Sequence, residues 1–271
     1  MGRFYYIKIH KNIMAITTEQ IKELRDKTGI SVMQCKKALE EAEGDMEKAI
    51  LILKKKSTEI AAKKSDREAT AGYIAKAEKS GNGLLLALKC ETDFVAKNAD
   101  FIAIAQNLAN TASEKGIEEA QKMAVELISS GIQKLGENIQ LGEIVTITAP
   151  VVGIYVHDGR MGIAVGLGGS DSALAKDIAM HIAAMNPEYK TRADVPAEEV
   201  AKVRAMFEEE VANSDKPADI KKKMLTGKID TFFKERTLAD QSFIKNPDMT
   251  IAQLLAGAST TLNEFVRVSI G

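Results

Sequence analysis

The residue types that carry most enzyme and metal chemistry are few in this sequence, and they are not grouped. The histidines, His10, His157 and His181, lie far apart, and no HExxH motif or shared Cys/His spacing marks a metal site. The cysteines, Cys35 and Cys90, lack CxxC spacing, so we expect unpaired, half-buried thiols in a reducing compartment. These side chains predict no metal site, no cofactor and no enzyme activity on a substrate of the protein's own.

Glycine-containing segments that could cradle a phosphate group also lack the required spacing. Residues 166–170 follow a predicted strand, but the third glycine of a dinucleotide-binding fingerprint is missing, which favours a flexible strand-to-helix loop. Gly227 and Lys228 are followed by Ile229 and lack the upstream glycine of a P-loop. We therefore expect that the chain itself binds no nucleotide.

The composition is that of a globular protein whose partners are proteins. Lysine and arginine total 37 against 38 acidic residues, a formal net charge of -1. Proteins that bind nucleic acid through its phosphates usually carry a basic excess, so this balance argues against direct nucleic-acid binding. No apolar run is long enough to span a membrane, and charges interrupt the N-terminal stretch where a signal peptide would lie. We expect a cytoplasmic protein.

The first part of the chain carries the start signals of short helices. Thr17 and Gln20 have the spacing of a capping box, as do Ser31 and Gln34, and Asp45 is placed to cap a third helix. Residues 15–56 are therefore predicted to form a three-helix domain. Its small core suits an adaptor.

The segments on either side of this domain are predicted to lack a core of their own. Met14 followed by Ala15 resembles a natural start, so residues 1–14 are interpreted as an extension without native structure. Residues 57–68 are charged and rich in alanine, which indicates a semi-helical linker.

The middle of the chain predicts an α+β core of two related subdomains. A strand, turn and strand over residues 72–90 are followed by a helix, with Phe94, Ile102, Ala105 and Leu108 among its apolar positions. Residues 153–186 repeat this order of hairpin and helix. We assign 69–149 to the N-subdomain and 150–190 with 237–271 to the C-subdomain, whose sheet a final strand at 265–268 is able to join.

Residues 191–236 predict an antiparallel helical hairpin inserted into the C-subdomain. Two amphipathic stretches are separated by a break at 213–217, and their apolar residues recur every three to five positions. Such a coiled-coil-like hairpin suits dimerisation or a partner contact, and packing back on its own domain is the alternative.

Two segments are similar to the signatures of the translation elongation factor Ts family. The first runs from Leu24 to Leu39, and the second covers residues 89–98, with Thr92-Asp93-Phe94-Val95 at its centre. Residues 134–139, 155–162 and 178–181 are similar to further family blocks in the same order. The resemblance extends from about Thr17 to Gly271.

The resemblance implies both a fold and an activity. The fold is a small N-terminal helical domain like a ubiquitin-associated (UBA) domain, a core of two α+β subdomains and an inserted coiled coil. The activity is guanine-nucleotide exchange. A member of this family binds elongation factor Tu in its GDP-bound form and promotes GDP release, so that GTP can bind.

The resemblance also assigns roles to individual residues. Thr92, Asp93, Phe94 and Val95 are expected to displace Mg²⁺ from elongation factor Tu, with Phe94 as a wedge and Asp93 disturbing the network around the metal. A second set is expected to bind the same GTPase domain: Arg25, Gly29, Ile30, Val32 and Met33. His157 is also predicted to contact the partner, although the residues alone leave a turn-stabilising role equally open. Without the resemblance, Phe94 would be interpreted as a core aromatic.

Two other functions remain open from the sequence. In the first, the three-helix domain is a non-enzymatic adaptor for another protein and the core only supports it. In the second, the basic region from Lys54 to Lys64 binds RNA, although a solvated helix face is the commoner use of such a run.

Overall fold

The N-terminal domain consists of three helices around a small apolar core. The computed structural model describes residues 16–169 and 171–271, so the predicted extension at 1–14 lies outside the described residues. Helix α1 spans Thr18–Thr28, α2 spans Val32–Glu41 and α3 spans Met46–Lys64. The Thr17–Gln20 capping box is complete, whereas at Ser31 only the serine half is present, its side chain accepting from Gln34 N. Asp45 caps α3 as predicted.

Helix α3 differs from the predicted boundary at residue 56. It continues through Lys64 without interruption, because the stretch interpreted as a linker buries Ser57 and packs Ile60 and Ala61 against the core of the next subdomain. The small residues of this stretch, which form no clear apolar face in the sequence, allow this close packing. The predicted semi-helical linker at 57–68 is helical through Lys64, so a shared helix joins the N-terminal domain to the core.

The N-subdomain is an antiparallel sheet covered by helices on one face. Strands β1 (Ala71–Lys79), β2 (Asn82–Cys90) and β3 (Ile139–Thr148) pair in that order. Between β2 and β3 lie α4 (Asp93–Ala96), α5 (Ala99–Lys115) and α6 (Ile117–Leu135). The structure corrects the prediction of one helix containing Phe94, Ile102, Ala105 and Leu108, because Phe94 belongs to the separate short helix α4 and is not in the core.

The C-subdomain repeats this plan around a second sheet. Strands β4 (Val151–His157) and β5 (Met161–Leu167) form a hairpin, and helix α7 (Ser172–Met185) follows. A small ribbon of β6 (Ser242–Phe243) and β7 (Asn246–Thr250) and helix α10 (Ile251–Gly257) precede the last strand, β8 (Leu262–Ser269). The last strand pairs antiparallel with β5, as the sequence suggested for residues 265–268.

The two sheets pack face to face and their helices cover the outer faces. Along β2, Leu84, Leu86 and Leu88 point to the helices of the N-subdomain, while Leu85 and Ala87 lie in a cluster shared with the second sheet. Because side chains alternate between the faces of a strand, a strand covered on both faces needs a continuous apolar run. This explains why β2 is apolar from Leu84 to Leu88 without alternation.

The inserted hairpin consists of α8 (Ala197–Ala212) and α9 (Ala218–Arg236). Short 3-10 turns at Arg192–Asp194 and Leu238–Asp240 flank the pair, and Tyr189 bridges to Thr237 where the chain leaves and re-enters the C-subdomain. Val211 and Phe233 are buried, and Ile220 is exposed. The other apolar residues of the two stripes are half-buried: Val200, Val203, Phe207, Met224 and Ile229. Across the described residues, no helix is long and apolar enough to cross a membrane.

Candidate partner-binding site

In the described part of the chain, the most exposed large hydrophobic side chain lies at the junction between β2 and α4 (the Phe94 junction). Phe94 is 90% exposed, whereas the next two residues of the same helix, Val95 and Ala96, are buried in the core of the N-subdomain. Thr92 is the N-cap of α4, and its hydroxyl accepts a hydrogen bond from Val95 N at 3.4 Å. One short helix thus anchors its inner side and presents Phe94 to solvent.

The base of this junction is held by carboxylates. Glu137, in the loop between α6 and β3, accepts hydrogen bonds from Glu91 N at 3.1 Å, Thr92 N at 2.9 Å and Thr92 Oγ1 at 2.6 Å. In return, Glu91 Oε1 accepts from Asn138 N at 2.6 Å. Two loops are therefore clasped to each other directly beneath Asp93 and Phe94.

Cys90, the last residue of β2, is buried below the same junction. Burial raises the pKa of its thiol to about 12, and the nearby Glu137 carboxylate adds to this effect, while the hydrogen bond to the Thr92 carbonyl opposes it. Such a thiol remains protonated at neutral pH and is a poor nucleophile. Cys90 is therefore a core residue, and like Cys35 it is unpaired.

The turn between β4 and β5 brings the second subdomain to the Phe94 junction. Arg160 Nη1 lies 3.7 Å from Asp93 Oδ1, and both side chains are more than half exposed. His157 is exposed in the same turn, where its Nδ1 is 2.9 Å from Tyr155 Oη and its Nε2 is 3.5 Å from Asp158 Oδ2. The turn is attached to the first sheet by a hydrogen bond from Ile74 N to Gly159 O at 2.7 Å.

His157 and His181 differ completely in environment. His181 is fully buried; Ile244 N donates to its Nδ1 at 3.3 Å, so its Nε2 carries the proton and donates to Gln241 Oε1 at 3.0 Å. Burial lowers the pKa of His181, against the raising effect of the Gln241 hydrogen bond. His181 is therefore a core residue, whereas the position of His157 is compatible with both a turn-stabilising role and a partner contact.

The second predicted contact set lies on the N-terminal domain. Arg25 and Gly29 are exposed, and Val32 and Met33 expose 51% and 65% of their surfaces, although both are apolar. Gly29 ends α1 in the left-handed conformation, with φ of 67°. These residues form one open surface that includes the turn between α1 and α2.

Two of the predicted site residues do not reach the surface. Ile30 is buried in the core of the N-terminal domain and Val95 in that of the N-subdomain. Each therefore holds an exposed neighbour in place and offers no side chain to a partner. The resemblance marked both segments as contact regions, and it did not separate their buried residues from the exposed neighbours.

The two candidate surfaces are connected through helix α6. A β-carbon at Gly29 would lie 3.0 Å from Lys134 Nζ, and the same lysine forms an ion pair of 2.8 Å with Asp100, at the start of α5. Helix α5 directly follows the Phe94 junction. The α1–α2 turn and the start of α5 therefore lie beside the same lysine, Lys134.

The basic run between Lys54 and Lys64 is engaged within the protein. Lys54 pairs with Glu126 and Lys56 with Glu41, both at 2.5 Å, and Lys64 Nζ donates to the carbonyl oxygen of Gly136. These contacts orient three of the run's charges toward the chain's own acceptors. They do not favour the RNA-binding alternative.

The described part of the chain contains no candidate metal-binding cluster beside these surfaces. In residues 16–169 and 171–271, no group of three or more His, Cys, Asp or Glu side chains is placed to hold a metal ion. The groups exposed at the Phe94 junction are suited to binding a partner: an aromatic ring, a carboxylate and a guanidinium on a fixed backbone.

Sequence reasoning missed Glu137 and Glu91 as members of the site. Glu137 lies in the segment at residues 134–139 and Glu91 in the signature at residues 89–98, but neither glutamate had an assigned role. A glutamate 45 residues away from Thr92 has no local pattern that links the two. Arg160 was noticed in a similar block but its proximity to Asp93 depends on the packing of the two sheets.

Comparison with known proteins places the chain in a family. A family model described as "Elongation factor TS" matches residues 91–271. A relative named "Elongation factor Ts", from Alkalilimnicola ehrlichii, is 40% identical over 271 aligned residues, which cover 95% of this chain and 93% of the relative.

Proposed function

The chain belongs to the elongation factor Ts family, and from this premise we propose that it is a guanine-nucleotide exchange factor for elongation factor Tu. In this proposal it binds elongation factor Tu carrying GDP and lowers the affinity for GDP, so that GTP can replace it. The protein takes part in translation elongation in the cytoplasm and has no catalytic reaction of its own.

The observation that carries the proposal is the exposure of Phe94 on a fixed base. A phenylalanine that is 90% exposed on a helix whose next two side chains, Val95 and Ala96, are buried is poorly explained by folding, since it contributes nothing to the core. Aromatic residues presented on rigid backbone are the usual anchors of protein interfaces because they bury much apolar area with little loss of rotamer freedom. Phe94 is therefore suited to enter an apolar pocket of a partner.

The exchange mechanism follows from linkage. GDP in a GTPase is held largely through its phosphates and Mg²⁺, and the octahedral shell of Mg²⁺ tolerates little distortion. If Phe94 separates elements of the GTPase domain and Asp93 disturbs the groups around the metal, the nucleotide loses contacts while the exchange factor gains its own. By reciprocity, GDP weakens the binding of the exchange factor by the same ratio, so the cycle can be reversed by nucleotide.

The N-terminal surface supplies the second contact in this proposal. Arg25 and the exposed Val32 and Met33 bind the same GTPase domain, while Ile30 holds their turn. Contact at two surfaces joined by the shared helix α3 supports the distortion, because the N-terminal surface holds the partner while Phe94 enters. His157 completes the surface beside Asp93, and dimerisation through the helical hairpin remains a prediction.

The test is the release of fluorescent GDP from purified elongation factor Tu with and without this protein. We expect release to accelerate with protein concentration and to saturate. Substituting Phe94 should abolish most of the acceleration, whereas the adaptor alternative leaves Phe94 dispensable. Absence of acceleration by the intact, folded chain contradicts the proposed function.

The purified chain should also neither bind nor hydrolyse GTP. The reason is that its glycine-containing segments lack the spacing of a phosphate-binding loop. Equilibrium dialysis with labelled GTP and a phosphate-release assay measure both properties. GTP turnover that follows this chain through purification would contradict the assignment of a purely partner-directed role.

A further inference from the structure

The Phe94 junction begins where the hydrogen-bonding ladder of the sheet ends. The last pair between β2 and β3 is Cys90 with Ile139. Beyond it, the N–H groups of Glu91 and Thr92 have no strand partner, and both donate to Glu137 Oε2, at 3.1 and 2.9 Å. The carboxylate of Glu137 therefore extends the ordered backbone by two residues past the end of the strand.

Glu137 also sets the direction of the helix cap. The Thr92 hydroxyl donates a hydrogen bond to Glu137 Oε1 at 2.6 Å. This leaves the lone pairs of Thr92 Oγ1 free to accept from Val95 N at 3.4 Å. A hydroxyl that has a fixed donor role is no longer free to rotate away from the cap. The start of α4, and with it the direction of the Phe94 side chain, depends on this arrangement.

The loop that carries Glu137 is itself attached at several points. Glu91 Oε1 accepts from Asn138 N at 2.6 Å, and this bond, aided by Arg67, lowers the pKa of Glu91, so the carboxylate is charged at neutral pH. Asn138 Nδ2 donates to Arg67 O at 2.6 Å, just beyond the end of α3. The clasp thus reaches from the Phe94 junction to the helix shared with the N-terminal domain.

We propose that Glu137 is a positioning residue for nucleotide exchange: it fixes the backbone of Glu91 and Thr92 so that Phe94 and Asp93 are presented in the geometry that the partner requires. This inference rests on the proposed function. Glu137 acts through the junction and is half-buried beneath it. The apolar cluster of the N-subdomain does not include it, so the core remains when its hydrogen bonds are lost.

The inference predicts a specific order of variants. Glu137→Leu keeps the approximate size and removes every acceptor, so the junction loses its fixed direction. Glu137→Gln retains one oxygen for the two N–H groups, and its amide can donate to Thr92 Oγ1, which has lone pairs to accept it. The amide variant should therefore recover most of what the leucine variant loses. Glu143→Leu, at an exposed position on the strand β3 that follows the Glu137 loop, is the matched control.

The experiment measures GDP release from elongation factor Tu at saturating concentrations of each variant. We expect Glu137→Leu to reduce the saturated rate by at least about tenfold, because a displacement of about 1 Å in a positioned group is enough for losses of this size. Affinity for nucleotide-free elongation factor Tu should fall by a smaller factor, since the N-terminal surface is unchanged. A purely structural role predicts instead a lower melting temperature and equal losses in both quantities.

A second readout does not need the partner. The chain has no tryptophan, so Phe94→Trp introduces a single indole whose fluorescence depolarisation reports the order of the junction. The indole should move more freely when Glu137→Leu is added and not when Glu143→Leu is added. Thr92→Val removes the hydroxyl bonds to Glu137 Oε1 and Val95 N but keeps the two backbone bonds to Glu137 Oε2. It should give an intermediate effect, and it replaces the leucine variant if that variant fails to fold.

Each outcome decides something. If Glu137→Leu exchanges nucleotide as fast as the unmodified chain and leaves the indole equally ordered, the positioning role is wrong. If Glu137→Gln is as slow as Glu137→Leu, the charge matters and not the geometry of acceptance, which also overturns the inference. If the unmodified chain fails to accelerate GDP release, the proposed function fails, while the depolarisation measurement still decides whether Glu137 orders the junction.

Discussion

The two subdomains share one plan and differ where the second strand of the hairpin meets the next helix. In the C-subdomain, β5 leads through Gly168 and Gly169 to α7, whose cap Asp171 accepts from Leu174 N at 2.8 Å. The first large apolar residue of that helix, Leu174, packs on the core. In the N-subdomain the corresponding junction presents Phe94 to solvent. The shared plan builds a platform, and the candidate binding residue lies at the point where the copies diverge.

The two hairpin turns also differ, and here it is the C-subdomain that contributes residues to the candidate site. The β1–β2 turn, at Gly81, is tied to the end of β3 by the bond from Ala149 N to Gly81 O. The β4–β5 turn instead lies next to Asp93 and contributes Arg160 and His157 to the exposed surface. The candidate site therefore takes a strand–helix junction from one copy and a hairpin turn from the other. Two packed copies of one motif provide both because their sheets lie face to face.

The largest expected effect comes from removing the side chain that distinguishes the two junctions. Phe94→Ala should slow GDP release at saturating factor by about 2 kcal/mol or more, roughly thirtyfold, because buried aromatic anchors carry most of an interface's energy. Its melting temperature should stay nearly constant, since the ring is 90% exposed in the free protein. Exchange kinetics and a thermal melt of the same variant measure both quantities.

Met206→Ala is the control for this change, because Met206 is also an exposed apolar residue but lies on α8 of the helical hairpin. A Phe94→Ala variant that melts early and still exchanges normally in the cold would show that the ring supports the fold and is not a wedge.

The next largest effect separates the two hairpin turns. Gly159 and Gly81 both have positive φ, 70° and 76°, and an added β-carbon would lie 2.6 Å from the Tyr73 ring or 2.8 Å from Ala149 O. Either glycine-to-alanine change should cost about 1–3 kcal/mol of stability, measured by urea unfolding. Only Gly159→Ala should also slow nucleotide exchange in the cold, because its turn carries Arg160 and His157.

Equal effects of the two turn variants on exchange, after correction for the folded fraction, would contradict the assignment of the β4–β5 turn to the site. An exchange defect confined to Gly81→Ala would move the site to the other end of the sheets.

The fold was predictable where local signals and burial agree. The apolar run at Leu84–Leu88 could only belong to a strand covered on both faces, and the capping residues Thr17 and Asp45 start helices as predicted. The α3 boundary was not predictable from residues 57–64, because their packing partners, such as Gln133, come from more than 70 residues away. Long-range packing there overrides a weak local pattern.

The site was predictable in part for the same reason. Spacing alone suggested a core role for Phe94, and the resemblance reversed it; the structure places the ring in solvent. Ile30 and Val95 were included with exposed neighbours because sequence similarity marks a segment and not a face of it. Glu137 could not be assigned from the sequence, since it accepts from the backbone N–H groups of Glu91 and Thr92. A backbone N–H group does not depend on the residue type and leaves no pattern in the sequence.

A smaller effect concerns pH and separates the helices that cover the two sheets. Helix α7 buries His181, whereas α5 covers its sheet with apolar residues such as Phe101 and Leu108. The folded-state pKa of His181 is lowered. Below about pH 6.5, His181 of the unfolded chain therefore binds a proton, whereas His181 of the folded chain stays neutral until the pH is lower. This contribution to stability is fully present above about pH 6.5 and is lost as the pH falls toward the folded-state pKa.

The loss should reach at most about 1.4 kcal/mol for each pH unit in that window. Urea unfolding at pH 7.5 and 5.5 measures it, and His181→Gln should reduce the difference, whereas His157→Gln, at an exposed position, should not. An unchanged pH dependence in His181→Gln would assign the effect to another group.

The smallest expected effect concerns the ion pair that joins the two asymmetric elements. Arg160 and Asp93 are 3.7 Å apart, and 52% and 60% of their side-chain surfaces are exposed. Exposed pairs of this kind contribute about 0.2–1 kcal/mol and are weakened by salt, so a double-mutant cycle with Arg160→Gln and Asp93→Asn should give a small coupling energy in unfolding. A weakly held carboxylate can leave Arg160 and act on a partner at little cost. If the coupling in unfolding were large, Asp93 would be committed to the fold. The two copies would then be joined by a structural bridge and not by an open binding surface.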